Sequence, residues 1–147
     1  MKILGVELDA NRLGYVFIRI GGDQGPEIIT SGKLTLEGSR EADMVRRFST
    51  ELTAVLAGLG PDIVAIKSKP ESGRMRAGAS ALKMEALMLA VSTCEVRFTT
   101  PQSLKAVADV PGLYGYLQGA YKAAVVGNEP VPVKRAPAKP KAKTRNA

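Results

Sequence analysis

Residues 2–36 contain three strand-like segments in succession, joined by connections too short to hold a helix, and no other feature constrains the fold as strongly. The first, "KILGVELD" over 2–9, is apolar and β-branched; the second covers 12–21, beyond a turn at Ala10 and Asn11; the third covers 27–36, beyond the loop "GGDQGP". Short connections between neighbouring strands give an antiparallel meander. After it the pattern changes to alternating helix and strand. Ser39 is placed to cap a helix over 40–57, where Met44, Val45, Phe48, Leu52, Val55 and Leu56 form one stripe, and "GLGPD" ends it. The run "IVAI" at 63–66 has no polar alternation, as expected of a strand covered on both faces. A helix over 77–92, a strand over 95–99, a short helix from Pro101 through Ala108 and a last helix over 112–126 complete the chain's folded part. The order β-β-β-α-β-α-β-α-α predicts an α/β fold with a mixed five-stranded sheet flanked by helices. Strand one is expected near the centre, its C-terminal end opening with that of 63–66 onto one crevice.

Composition sets the domain boundary. The net charge of +7 is uneven: Lys134, Arg135, Lys139, Lys141, Lys143 and Arg145 stand in residues 134–147 with no acid, leaving 15 basic and 14 acidic side chains in the rest. The end of the chain is Pro, Ala and Lys with almost nothing to bury, so the sequence divides into a folded domain over 1–127 and a disordered basic tail over 128–147. With 45% hydrophobic residues in 147, one domain can build its own core. No apolar run reaches membrane-spanning length and the N-terminus has no secretory pattern, so a cytoplasmic protein without a membrane partner is expected. One cysteine, Cys94, and no histidine exclude an internal disulfide, the usual zinc sites and histidine-based triads.

The candidate site residues lie near the predicted crevice. Glu7 and Asp9 are two apart on strand one and share a face. Paired carboxylates there suit a divalent cation or the closing of a turn, and Asp9, followed by "AN", suits an Asx-turn. The segment "KSKPESGRMRAGASALKME" sets Lys67, Lys69, Arg74, Arg76 and Lys83 against Glu71 and Glu85, a net of +3 that suits phosphate contacts or a solvated surface. It lacks the full spacing of a P-loop. Glu85 shares a helical face with Leu82, Ala86 and Leu89, so it is expected to turn inward and to need a partner such as Lys67. Tyr114, Tyr116 and Tyr121 suit base stacking, although Leu113, Leu117 and Tyr121 also form a packing stripe. Gly115 and Gly119 in the same helix suit close pairing with a second copy.

The opening "ILGVELDANRLGYVFI" and the element order resemble the ribonuclease H-like superfamily, in particular its RuvC-like Holliday junction resolvase branch. More closely, "MKILGVEL", "VAIKSK", "RAGASALKMEA" and "TTPQSLK" resemble a family of small bacterial proteins of unknown function, DUF3010, over about residues 1–125. The superfamily resemblance implies several acids holding two divalent metals for phosphodiester hydrolysis, the first of which matches Glu7. It implies a second acid just beyond "VAIK", where this chain has Ser68 between Lys67 and Lys69, and the last helix lacks the late acidic pair. The resemblance thus implies a nucleic-acid-binding protein with reduced or absent nuclease activity and no cofactor. Lys67, Lys69, Arg74, Arg76 and Lys83 would contact the nucleic acid, DNA being favoured over RNA, and RuvC-like proteins make a homodimer an expected partner. Two alternatives stay open. One is a magnesium-dependent structure-selective nuclease using Glu7, Glu85 and Asp9, with Glu7 and Glu85 holding Mg2+; the other is an adaptor whose cleft takes a protein partner.

The tail carries a prediction of its own. Truncation at residue 133 removes six positive charges from a segment with no core to lose, so nonspecific nucleic-acid affinity falls and its salt dependence flattens while the melting temperature holds. Binding isotherms at several salt concentrations check this, and unchanged binding rejects the role.

Overall fold

A two-residue turn sets the sheet in motion. Asp9 pairs with Arg12 across Ala10 and Asn11, and Ala10 takes the left-handed conformation (φ 52°) that so tight a reversal requires. The computed structural model describes residues 1–69, 73 and 76–129. Strand β1 (Lys2–Asp9) turns into β2 (Arg12–Arg19), and β3 (Glu27–Thr35) returns beside β2. Helix α1 (Ala42–Leu59), strand β4 (Ile63–Lys67), helix α2 (Ala79–Val91), strand β5 (Glu95–Thr99), the short α3 (Pro101–Leu104) and α4 (Gly115–Gly127) follow. The sheet order is β3-β2-β1-β4-β5, with β1, β2 and β3 antiparallel and β4 and β5 parallel to β1. This is the predicted mixed sheet, with β1 at its centre.

The boundaries shift where local chemistry overrides the pattern. β2 stops at Arg19 because Gly21 and Gly22 turn into positive φ, and α4 starts only at Gly115 because Gly112 (φ 85°) cannot be helical. Glu41, not Ser39, is the N-cap residue of α1; the Ser39 carbonyl instead accepts a hydrogen bond from Lys83 Nζ at 2.8 Å. α3 ends at Leu104, its one buried residue, rather than at Ala108. Asn128 and Glu129, grouped with the tail by composition, are tied to α4 through the Val125 and Val126 carbonyls. Arg74 and the basic residues from Lys134 onward lie outside the described residues. Among the described residues no helix is long and apolar enough to cross a membrane.

Alternation along β1 divides the interior into two cores. Leu4, Val6 and Leu8 face α1 and α2, packing with Phe48, Leu52, Val64, Ile66, Ala81, Met84 and Met88. Ile3 faces the other way with Val16, Ile18 and Ala65, under Leu117, Ala120, Ala123 and Ala124 of α4. Glu7 belongs to this second face by the two-residue period. The small residues of α4 let its backbone rest on the sheet: a Cβ at Gly5 would strike the Ala120 carbonyl oxygen, and one at Gly127 would lie 2.5 Å from the Ala65 Cβ. At the far end Arg97 Nη1 donates to the Gly127 carbonyl at 2.6 Å, placing a cation where the helix dipole is negative. Of the two glycines expected to pair copies, Gly119 packs inside the chain while Gly115 faces open space.

Two outcomes follow from this packing. Gly5→Ala forces α4 off β1, and because the obstacle is backbone, the loss reaches the upper end of overpacking costs, roughly 3 kcal/mol in urea unfolding; wild-type stability in that variant refutes the close approach. Partial burial pushes the Cys94 thiol above its ordinary range. The folded state therefore favours the neutral thiol, a contribution intact below the ordinary thiol pKa and lost as pH climbs through the raised one. Iodoacetamide labelling of the native protein at neutral pH proceeds more slowly than that of the unfolded chain.

Candidate functional site

The parallel ladder brings two acids to two lysines. Ile3, Leu4, Gly5 and Val6 pair with Ile63, Val64, Ala65 and Ile66, so the next rung places Glu7 beside Lys67, and two residues further Asp9 meets Lys69. Lys67 Nζ donates to Glu7 Oε2 at 2.7 Å, with the carboxylate side chain only 18% exposed and the lysine 30%. Lys69 Nζ lies 3.3 Å from Asp9 Oδ1, and Arg12 reaches the same carboxylate at 3.7 Å. The crevice expected where strand one and 63–66 end together is present, and in it Glu7 meets Lys67, sixty residues away in sequence. Helix α4 closes over it. A Cβ at Gly119 would collide with the Glu7 carboxylate, so glycine is what lets the acid lie under the helix.

Between this pair and α4 opens a cleft of about 400 Å³. Its polar lining is Glu7 and Lys67 from the sheet, Lys105 just after α3, and Gln118 and Lys122 on α4. Lys122 pairs with Asp109 at 2.5 Å. Lys105 is exposed and has no acidic partner among the described residues. The charge balance of the lining is one carboxylate to three ammonium groups.

This donor set does not fit a divalent metal. Magnesium takes several oxygen ligands in near-octahedral array, whereas here a single carboxylate already holds an ammonium at hydrogen-bond distance. Among the described residues no three Asp, Glu, Cys or His side chains gather.

The structure separates several residues that the sequence groups together. α2 packs on the Leu4, Val6 and Leu8 face, so Glu85 sits across the sheet from the α4 side and does not line the cleft. The inward stripe of α2 is Ala81, Met84 and Met88, one position away from the expected Leu82, Glu85, Ala86 and Leu89, and Leu89 is 48% exposed. Lys67 accordingly pairs with Glu7, on the α4 side of the sheet. Asp9 spends its carboxylate on Lys69 and Arg12 rather than on an Asx-turn. Lys83 is tied to the Ser39 carbonyl, and Arg76 is exposed with its guanidinium on the Gly73 carbonyl. Lys105, Lys122 and Gln118 escaped notice because nothing in their local sequence links them to β1; only the Gly115 and Gly119 spacing hinted that α4 approaches something closely.

The sheet and its helices have solved counterparts. RuvC from Thermus thermophilus superimposes with a TM-score of 0.70 at 14% identity, covering 86% of this chain and 92% of that one. The same organism's RuvC in complex with a Holliday junction substrate gives 0.63 at 14% identity over the same shares. Identity this low establishes the fold alone, which is ribonuclease H-like. No curated protein sequence matches the chain significantly. The match to the family described as "Protein of unknown function (DUF3010)" runs over residues 1–125, so the chain belongs to the DUF3010 family.

Proposed function

We propose that this protein binds nucleic acid, DNA in preference to RNA, at the end of the sheet formed by β1 and β4, and that its nuclease activity is reduced or absent. The observation that carries the reading is the Glu7–Lys67 pair at 2.7 Å. In a metal-dependent nuclease the carboxylates must be free to hold cations that activate water and steady the leaving oxygen. Here Lys67 neutralises the acid at the strand-one position. With Glu7 matched by Lys67 and Asp109 by Lys122, Lys105 at the cleft and the second cation that Lys69 and Arg12 bring to Asp9 leave a net positive charge, a field that attracts phosphates. The fold likeness to a RuvC solved with a Holliday junction substrate supports nucleic acid as the ligand.

The test joins calorimetric titration of magnesium and manganese with incubation on branched, duplex and single-stranded substrates. No saturable metal binding and no strand scission are expected, and DNA binding persists in a chelator while weakening with salt. Lys105→Ala lowers the magnitude of the salt slope by about one without shifting the melting temperature, as loss of one phosphate contact does. Saturable magnesium binding that Glu7→Gln abolishes, together with scission, would overturn the reduced-activity reading.

A further inference from the structure

We propose that Tyr114, backed by Tyr116 and flanked by Arg12 and Lys33, is a stacking platform for an unpaired nucleobase. The inference rests on the nucleic-acid-binding function proposed above and adds to it a site and a ligand form.

Tyr114 is 72% exposed, the most exposed large apolar or aromatic side chain among the described residues. It has no part in holding α4 down, a task done by Leu117, Ala120, Tyr121 and Ala124. Residues two apart on a helix do not face each other, yet the rings of Tyr114 and Tyr116 stack with centroids 6.0 Å apart and planes at 21°. They do so because Tyr114 is the N-cap residue, with extended backbone (φ −56°, ψ 143°), and folds back over the first turn. Tyr116 is fixed by cations: the Arg12 guanidinium carbon lies 4.5 Å from its ring centroid and Lys33 Nζ 5.7 Å. The loop that leads to Tyr114 is also fixed. Gln118 accepts from the Val110 N–H at 2.9 Å and donates to the Val110 and Leu113 carbonyls at 2.8 and 3.0 Å. An exposed aromatic held this firmly costs little ordering entropy when a flat ring settles on it.

Its surroundings select the kind of ring. Arg12 also contacts Asp9, whose other partner is Lys69, so the aromatic pair continues without a break into the acid–lysine rungs beside the cleft. Lys67 and Lys69 near β4, Arg12 on β2 and Lys33 on β3 form a cationic row across three strand spacings, about 14 Å. Gly115, adjacent to Tyr114, lines the cleft itself. A strand whose phosphates follow this row would bring a base to Tyr114. A paired base inside a duplex is already stacked on both faces and cannot reach the ring, so the platform takes single-stranded or unpaired positions.

The chain has no tryptophan, so its intrinsic fluorescence comes from four tyrosines. Full-length wild type, Tyr114→Ala and Tyr114→Phe are titrated with a single-stranded oligonucleotide carrying 2-aminopurine and with its duplex, following tyrosine and aminopurine emission together. Tyr114→Ala is expected to weaken single-strand binding roughly 5- to 150-fold and abolish the aminopurine response, while duplex affinity and melting temperature stay at wild-type values; Tyr114→Phe restores single-strand binding. Single-strand affinity unchanged in Tyr114→Ala, with duplex binding intact, overturns the platform alone and returns the patch to a protein partner. Wild type that binds neither form brings down the proposed function as well.

Discussion

The contact between the α4 backbone and β1 at Gly5 fixes the geometry on which everything at the sheet end depends. A side chain at that position would hold the helix off the sheet; without one, Ala120 and Ala124 sit against the strand and α4 reaches across β1, β2 and β4. That single docking has three results. It brings Gly119 over the Glu7 carboxylate, it places Gln118 and Lys122 around the cleft, and it lays Tyr116 over β2 between Arg12 and Lys33, with Tyr114 stacked against it. Arg97 fixes the other end of the same helix, so its position is determined at two points rather than one.

A carboxylate held under a helix needs a counter-charge. Leaving a half-buried acid unpaired costs more than the pairing returns, since desolvation acts on the isolated ion while a partner offsets it. Such a counter-charge can come from a cation in solution or from the chain itself. The parallel register makes the second inexpensive here, because the rung after Val6 and Ile66 sets residues 7 and 67 side by side with no distortion of either strand. Repeating the arrangement at Asp9 and Lys69 makes acid–lysine pairing a property of the sheet end rather than of one residue.

Much of the architecture was legible because it rests on short-range signals. Strand periodicity, the turn residues and the doubly apolar "IVAI" run determine which segments become strands, and the short early connections determine which strands neighbour one another. The site was legible only along the sheet. Glu7 and Lys67 meet because both close apolar strands that must pair, which follows from their place at the strand ends. Glu85 was misplaced because α2 carries apolar residues nearly all round: its buried stripe through Met84 and its exposed one through Leu89 differ little in hydrophobicity, so sequence alone could not orient it. The aromatic pair was recognised as three tyrosines but not as a patch, because Arg12 and Lys33 reach Tyr116 from strands far away in the chain.

An ammonium and a metal ion beside a carboxylate permit different chemistry. Lys67 cancels the charge of Glu7 and keeps N–H donors beyond the one bonded to it, which can orient a phosphate. It offers no open coordination position, so it neither lowers the pKa of a bound water nor bridges the attacking and leaving oxygens, the two services hydrolysis requires of the ion. Under the proposed function, binding and cutting are therefore separable at the level of one strand rung. The reduced-activity proposal and the stacking platform are consistent with each other for the same reason: with the acid neutralised internally, the sheet end has a surplus of positive charge running from the cleft to an exposed aromatic ring. Taken together, the two proposals describe a surface that holds a single strand without cutting it.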